Sequence, residues 1–185
     1  YVTISQVKGD KNTTDLYMSS VFVGNMVIVL LLTIPITIST MYLEYFINIP
    51  THLVTQVKWL FLLTLSAFLI RILVSTYGIA TFCMNRIDLN AVRDIIVNTL
   101  KAVLLFGLFL SLSPSLVYIG ITNIVTSISA GVIMYLHFKK LLPGVKISFD
   151  KFRLYIIKKL MASGFWNSIN HLNNILLLGL NLVIA

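Results

Sequence analysis

Residues 59–84 read WLFLLTLSAFLIRILVSTYGIATFCM and contain a single charged side chain, that of Arg71. A helix of this length extends about 39 Å, which exceeds the roughly 30 Å of hydrocarbon in a bilayer. Unpaired backbone polar groups are costly in lipid, so such a span is a helix or a barrel strand, and so long a run is typical of a helix. The stretch therefore predicts a membrane-spanning helix.

Four further apolar runs have the length of a span. We name the five predicted spans A (Ser20–Leu43), B (Trp59–Met84), C (Ile95–Leu112), D (Leu116–Phe138) and E (Leu160 to Ala185). Hydrophobic residues make up 58% and charged residues 11% of the 185 residues, whereas soluble domains carry about 25% charged residues. This composition excludes a soluble globule and a disordered chain, and the single Cys83 excludes a disulfide-stapled module. The predicted fold class is an all-α, polytopic transmembrane helix bundle.

The basic residues are distributed unevenly between the two sides of the predicted bundle. Twelve of the 14 lysines and arginines lie before span A, between B and C with the first turns of C, and between D and E. The positive-inside rule makes these segments cytoplasmic. We interpret the net charge of +8 as membrane topology and expect contact with membrane lipids but not with nucleic acid, because no basic stripe is interleaved with aromatics.

The predicted organisation has four parts. Residues 1–19 form a cytoplasmic loop, 20–138 four spans, 139–159 a cytoplasmic amphipathic connection, and 160–185 the beginning of a further helix. The chain begins without an initiator methionine and ends inside an apolar run, which predicts a fragment of a longer protein.

Three local patterns add detail to this organisation. Pro35 predicts a kink in span A, with Thr33 and Thr37 bonding to freed carbonyls. Pro114 and its neighbouring serines predict a tight hairpin between C and D. The stretch Ser148–Lys159 suits an interfacial helix, and an ordinary anchor leading into span E is the alternative. Its expected apolar face contains Phe149, Phe152, Tyr155 and Ile156.

Arg71 is the most informative polar residue because it lies near the predicted midplane of the bilayer. A charge there costs several kcal/mol unless it faces protein or water. Helical spacing places Thr64, Ala67, Ser75 and Gly78 on the same face, and the spans offer no acidic partner. We predict that Arg71, Ser75 and Thr64 bind an anion in a cavity. The alternative is a structural arginine bonded to carbonyls of a neighbouring helix.

Spans D and E carry further polar side chains that are candidates for lining a hydrated cavity. These are Asn123, Ser127, Asn167, Asn170, His171, Asn174 and Asn181. Interhelix packing is the alternative role for the amides, and His171 is also a proton-relay candidate without a visible carboxylate partner. The sequence has no metal-ligand spacing, phosphate loop or paired membrane carboxylates. We therefore predict no catalytic residue, no metal and no cofactor, and expect that the protein is not an enzyme.

Four motifs together resemble those of one known family. They are Tyr1-Val2-Thr3-Ile4-Ser5 with Lys8-Gly9-Asp10-Lys11, then Asn85-Arg86-Ile87-Asp88-Leu89, Ser113-Pro114-Ser115-Leu116-Val117-Tyr118-Ile119-Gly120 and Ser163-Gly164-Phe165-Trp166-Asn167-Ser168-Ile169-Asn170. The chain is similar over its whole length to bacterial polysaccharide flippases, the Wzx-type members of the multidrug/oligosaccharidyl-lipid/polysaccharide exporter superfamily. The resemblance implies the third to seventh helices of a two-lobe bundle, with spans A to D in the amino-terminal lobe and span E beginning the second.

The same resemblance implies a function in the bacterial cytoplasmic (inner) membrane. Family members move undecaprenyl-pyrophosphate-linked oligosaccharide to the outer leaflet for polysaccharide biosynthesis, by alternating access coupled to ion gradients. Arg71 resembles their cavity arginine, while Asn181 stands where members often have Asp, which puts a cation or proton site there in doubt. Lipid-linked oligosaccharide is the implied substrate, and a polysaccharide polymerase or assembly proteins are candidate partners. The alternatives are a drug or cation efflux carrier of the superfamily, or a membrane-embedded glycosyltransferase, ligase or scaffold of envelope assembly.

Overall fold

The computed structural model describes residues 2–7, 9–162 and 164–165. Its helices are α1 (Val2–Val7), α2 (Lys11–Met41), α3 (Leu43–Phe46), α4 (Val54–Cys83), α5 (Asp88–Ser111) and α6 (Val117–Leu141). The described residues contain no strand, and 154–162 are helical. Helices α2, α4 with its preceding turn, α5 and α6 are long and apolar enough to cross a membrane. The predicted all-α polytopic bundle is confirmed for spans A to D, whereas most of span E lies outside the described residues.

The largest difference from the predicted boundaries is at the start of α2, which begins at Lys11 rather than Ser20. Asp10 caps this helix, because its carboxylate accepts the Thr13 amide hydrogen at 3.0 Å and the Thr13 hydroxyl at 2.5 Å. These hydrogen bonds lower the pKa of the Asp10 carboxyl below its ordinary value. Hydropathy misses these first turns because their buried side chains are mostly polar.

Close approach of α4 and α6 forms the most extensive interface of the bundle. The two helices run in the same direction, since Leu63 faces Gly120 and Val74 faces Gly131. A Cβ atom at Gly131 would lie 2.7 Å from Cγ1 of Val74, and one at Gly120 would lie 2.7 Å from Cβ of Leu63. Small residues at such points let helix backbones pack closely in a membrane.

Gly131→Leu is therefore expected to lower the stability of the full-length protein by about 1–3 kcal/mol, because the added side chain overpacks the α4–α6 interface. Thermal melting in detergent measures this effect. Gly107→Leu on α5 is the control, since no heavy atom lies within 4 Å of a Cβ built at Gly107. Equal losses of melting temperature in the two variants would contradict this account of the interface.

Helix α2 is continuous through Pro35. The Thr33 and Thr37 hydroxyls each donate to a carbonyl four residues earlier, at 2.8 Å, and so back-bond within the helix. Helices α5 and α6 form the predicted hairpin, in which Phe109 and Tyr118 make an edge contact with ring centroids 5.7 Å apart. The hairpin thus follows from the sequence pattern. The hydroxyl acceptors differ from the prediction, because they are the carbonyls of Val29 and Thr33 rather than that of Leu31, which Pro35 leaves without its helical donor.

One end of the bundle gathers the start of α2, the end of α4 and the end of α6, and we call it the basic end. Met18, Ala80, Phe138 and Leu142 form a buried apolar cluster there. The segments predicted to be cytoplasmic meet at this end. For example, α1 contacts the end of α4, where the Thr3 hydroxyl donates to the Cys83 sulfur at 3.5 Å. The opposite end carries the ion pair Lys58–Glu44 at 3.3 Å.

The connection after α6 differs from the expected amphipathic helix. It forms a 3-10 turn at Phe149–Lys151, is extended at Phe152, and is helical again over 154–162. Ile156 is fully buried, whereas Phe149 and Tyr155 are each 63% exposed. The prediction of one shared apolar face is therefore wrong. Polar contacts with α2 hold the backbone of this segment as a turn followed by an extended residue, so that it does not form one continuous helix.

Three side chains on the first turns of α2 make those contacts. Oδ1 of Asp15 accepts the Lys146 amide hydrogen at 2.9 Å. Ser19 and Ser20 accept the amide hydrogens of Ser148 and Arg153 at 3.0 and 3.1 Å, respectively. Lys151 adds an ion pair to Asp15 with a nitrogen-to-oxygen distance of 2.6 Å. The buried polar residues of α2 thus anchor residues 146–153 to the basic end.

Candidate functional site

Arg71 lies on an exposed face of α4 and is tied to α6 by one hydrogen bond. Its Nε donates to Oγ of Ser127 at 2.9 Å, and Ser127 is fully buried. The ion pairs found in the described part of the chain involve Glu44, Asp15, Asp88 and Asp94, and none includes Arg71. The observed partner of the guanidinium is a neutral hydroxyl, so its positive charge is not neutralised there.

Ser75 and Thr64 share this face of α4 with Arg71, as helical spacing predicts. Ser75 is exposed one turn after Arg71, while Thr64 is half-buried and accepts a hydrogen bond from Nδ2 of Asn123 at 3.3 Å. The three residues extend over about 16 Å along the helix. We call the surface formed by Thr64, Arg71 and Ser75 the Arg71 face.

Asn25 of α2 borders the Arg71 face and is not among the predicted site residues. Its Nδ2 lies 3.0 Å from the carbonyl oxygen of Ile72, 3.2 Å from Oγ of Ser75 and 3.1 Å from Oγ1 of Thr76. The two hydrogens of this amide are thus shared among three acceptors on α4, and they join α2 to α4. The available signal was an amide in the middle of an otherwise apolar run, which is costly in lipid unless it finds partners.

Ala67 and Gly78, the other two residues predicted on the face of Arg71, are both buried. Ala67 is 2% exposed. A Cβ atom at Gly78 would lie 3.4 Å from Cε of Met134 on α6. Phe68 next to Arg71 is 53% exposed. The stripe of small and polar residues therefore lies at the edge of the α4–α6 interface, with Arg71 and Ser75 on its open side.

The candidate cavity-lining residues are located as far as the described residues reach. Asn123 is half-buried and Ser127 is fully buried, and both bond across to α4. A second group lies outside the described residues: Asn167, Asn170, His171, Asn174 and Asn181. Within 2–7, 9–162 and 164–165, no group of three or more His, Cys, Asp or Glu side chains is placed to hold a metal ion.

The chemistry of the Arg71 face suits an anion with several oxygens. A guanidinium presents a planar set of donors that binds phosphate or carboxylate through two parallel bonds. Nε of Arg71 is directed to Ser127, and no carboxylate among the described residues pairs with the remaining donors. Hydroxyls and amides beside it add neutral hydrogen-bonding groups.

The long apolar helices and the polar face between them define a multi-pass helical membrane protein. The chain is similar to the uncharacterized membrane protein EpsK of Bacillus subtilis (strain 168), with 25% identity over 189 aligned residues. The alignment covers 100% of this chain and 37% of that protein, so the chain spans little more than a third of its relative. No protein-family model and no solved structure matches the chain.

Proposed function

We propose that this chain forms part of a flippase that moves undecaprenyl-pyrophosphate-linked oligosaccharide from the inner to the outer leaflet of a bacterial cytoplasmic membrane. The observation that carries the proposal is Arg71, a cation within a membrane span that has a neutral partner and an exposed side chain. Intramembrane charges are rare and expensive, and they mark substrate or ion pathways by default. The resemblance of the sequence motifs to Wzx-type flippases supports the same activity.

In this proposal the Arg71 guanidinium binds the pyrophosphate, while neighbouring hydroxyls and amides contact the first sugars. Charge-assisted hydrogen bonds to phosphate are roughly twice as strong as neutral ones, which favours an anionic over a neutral amphiphile. A second lobe, contributed by the rest of the protein, covers the exposed Arg71 face and alternates with this lobe. The candidate partners are membrane lipids and the polysaccharide polymerase or assembly proteins that use the glycan. No catalytic residue and no cofactor is assigned.

Transport by the reconstituted full-length protein tests this function. A fluorescent lipid-linked oligosaccharide is incorporated into vesicles, and a membrane-impermeant reagent measures the fraction in each leaflet over time. We expect protein-dependent exchange that is accelerated by an imposed ion gradient, and no transport of a cationic drug in parallel vesicles. A full-length protein that leaves the glycan in its original leaflet under every gradient would contradict the proposal. Transport of the drug alone would indicate an efflux carrier.

A further inference from the structure

A cavity lies at the basic end, apart from the Arg71 face. It has a volume of about 480 Å³ and is bounded by Tyr77 of α4, Tyr135 and Lys139 of α6, and Val145 and Ile147 of the connection. Pockets of roughly 300–1,000 Å³ are the usual size for small ligands. The cavity is therefore large enough for a polar headgroup rather than only for water.

The cavity and the Arg71 face lie on different sides of α4. Tyr77 follows Arg71 by six residues, which places it about 120° away around the helix. The exposed Phe68 and Ser75 lie on the other side of Arg71. A ligand in this cavity thus contacts a different surface of α4 from the proposed transport substrate.

The walls combine one cation with aromatic rings. Nζ of Lys139 lies 5.2 Å from the ring centroid of Tyr135, a cation–π contact that positions the ammonium group. Tyr77 packs edge-on against Tyr135 with ring centroids 5.3 Å apart, and both phenols belong to the lining. No carboxylate belongs to the lining, and none of the ion pairs in the described chain involves Lys139. The charge of the cavity therefore favours an anion.

The height of the cavity in the bilayer identifies the source of that anion. Helix α6 has 25 residues and is about 37 Å long, which exceeds the roughly 30 Å of hydrocarbon. With the helix centred in the bilayer, its last turn reaches the headgroup level. Lys139 and Lys140 are in that last turn. Tyrosine and lysine at this depth typically contact phospholipid headgroups, with the ring toward the acyl chains and the charge toward phosphate.

We propose that this cavity binds the phosphate headgroup of an anionic phospholipid, with Lys139 contacting the phosphate and the tyrosine rings contacting the glycerol region. Val145 and Ile147 bring the connection into the same site. A bound lipid therefore also joins the connection to α4 and α6. The proposal does not depend on the transport activity and can be tested without it.

Titration of the detergent-solubilised full-length protein with dioctanoyl phosphatidylglycerol tests the site. We expect saturable binding, measured by native mass spectrometry and by a rise in melting temperature, because a ligand of the folded state stabilises it. Lys139→Gln is expected to weaken this binding about tenfold, and Lys139→Arg to retain it. Lys140→Gln is the matched control, since it removes the same charge one residue along and does not line the cavity.

Two comparison ligands distinguish a site for a lipid from a site for a free anion. Dioctanoyl phosphatidylcholine and glycerol 3-phosphate are expected to bind at least tenfold more weakly than phosphatidylglycerol. Equal losses in Lys139→Gln and Lys140→Gln would overturn the proposal, as would equal binding of phosphatidylcholine. Binding of glycerol 3-phosphate as strong as that of the lipid would show a site for soluble phosphate instead. The melting temperature of Lys139→Gln without lipid verifies that the variant is folded.

Discussion

Arg71→Ala is expected to abolish flipping of the lipid-linked oligosaccharide by the full-length protein, while its yield and melting temperature stay close to those of the unchanged protein. Removing a charge from a span lowers the cost of membrane insertion. Ser127, the partner of Arg71 on α6, can turn its hydroxyl to a carbonyl of its own helix when the guanidinium is gone. Yield, melting temperature and flipping rate measured on the same preparation check this result.

Arg71→Lys is expected to be impaired as well, because an ammonium keeps the charge but loses the planar pair of donors. Arg86→Ala is the control. Arg86 lies in the turn before α5, is exposed and forms an ion pair with Asp88, the first residue of α5. A structural arginine would give the opposite pattern, with loss of yield or stability in Arg71→Ala. A well-folded Arg71→Ala protein with a normal flipping rate would remove Arg71 from the site.

Asp15→Ala is expected to lower the stability of the full-length protein by about 2 kcal/mol, because it removes the acceptor that holds both Lys146 and Lys151. Breaking a fully buried ion pair costs about 3–5 kcal/mol. The Lys151 side chain is 37% exposed and that of Asp15 is 7% exposed, so solvent screening reduces this figure. Thermal unfolding and the rate of proteolysis between residues 142 and 153 measure the effect in the full-length protein.

Asp150→Ala provides the matched control for Asp15. Asp150 is an exposed carboxylate in the same connection, and its side chain contacts Ser148 locally. We expect its removal to change stability by less than about 0.5 kcal/mol. If Asp15→Ala left both the melting temperature and the proteolysis rate unchanged, the contacts from α2 would not be what anchors the connection.

The sequence predicted the parts of the fold that depend on local hydropathy and helical spacing. Spans A to D correspond to α2, α4, α5 and α6 because a long apolar run has few alternatives to a membrane helix. The common face of Thr64, Arg71 and Ser75 follows from the helical repeat alone. Neither inference requires knowledge of a distant part of the chain.

The remaining features depend on partners far away in sequence. Asp15 meets the Lys146 amide across 131 positions, and Asn25 meets α4 across about 50. The start of α2 was placed too late, because the buried side chains of its first turns are mostly polar. The interrupted connection was also missed, because the acceptors on Ser19 and Ser20 that fix its backbone lie on another helix. The periodicity of a single sequence gives no information about such long-range pairings.

The affinity of the full-length protein for undecaprenyl-pyrophosphate-linked oligosaccharide, compared between the unchanged protein and Arg71→Ala, tests the central claim most directly. Charge-assisted bonds to a pyrophosphate predict a dissociation constant about 10- to 100-fold higher in Arg71→Ala. An uncharged undecaprenyl-linked glycan without phosphate is expected to bind both proteins equally. Equal dissociation constants of the two proteins for the pyrophosphate-linked glycan would contradict the assignment of Arg71 to the substrate.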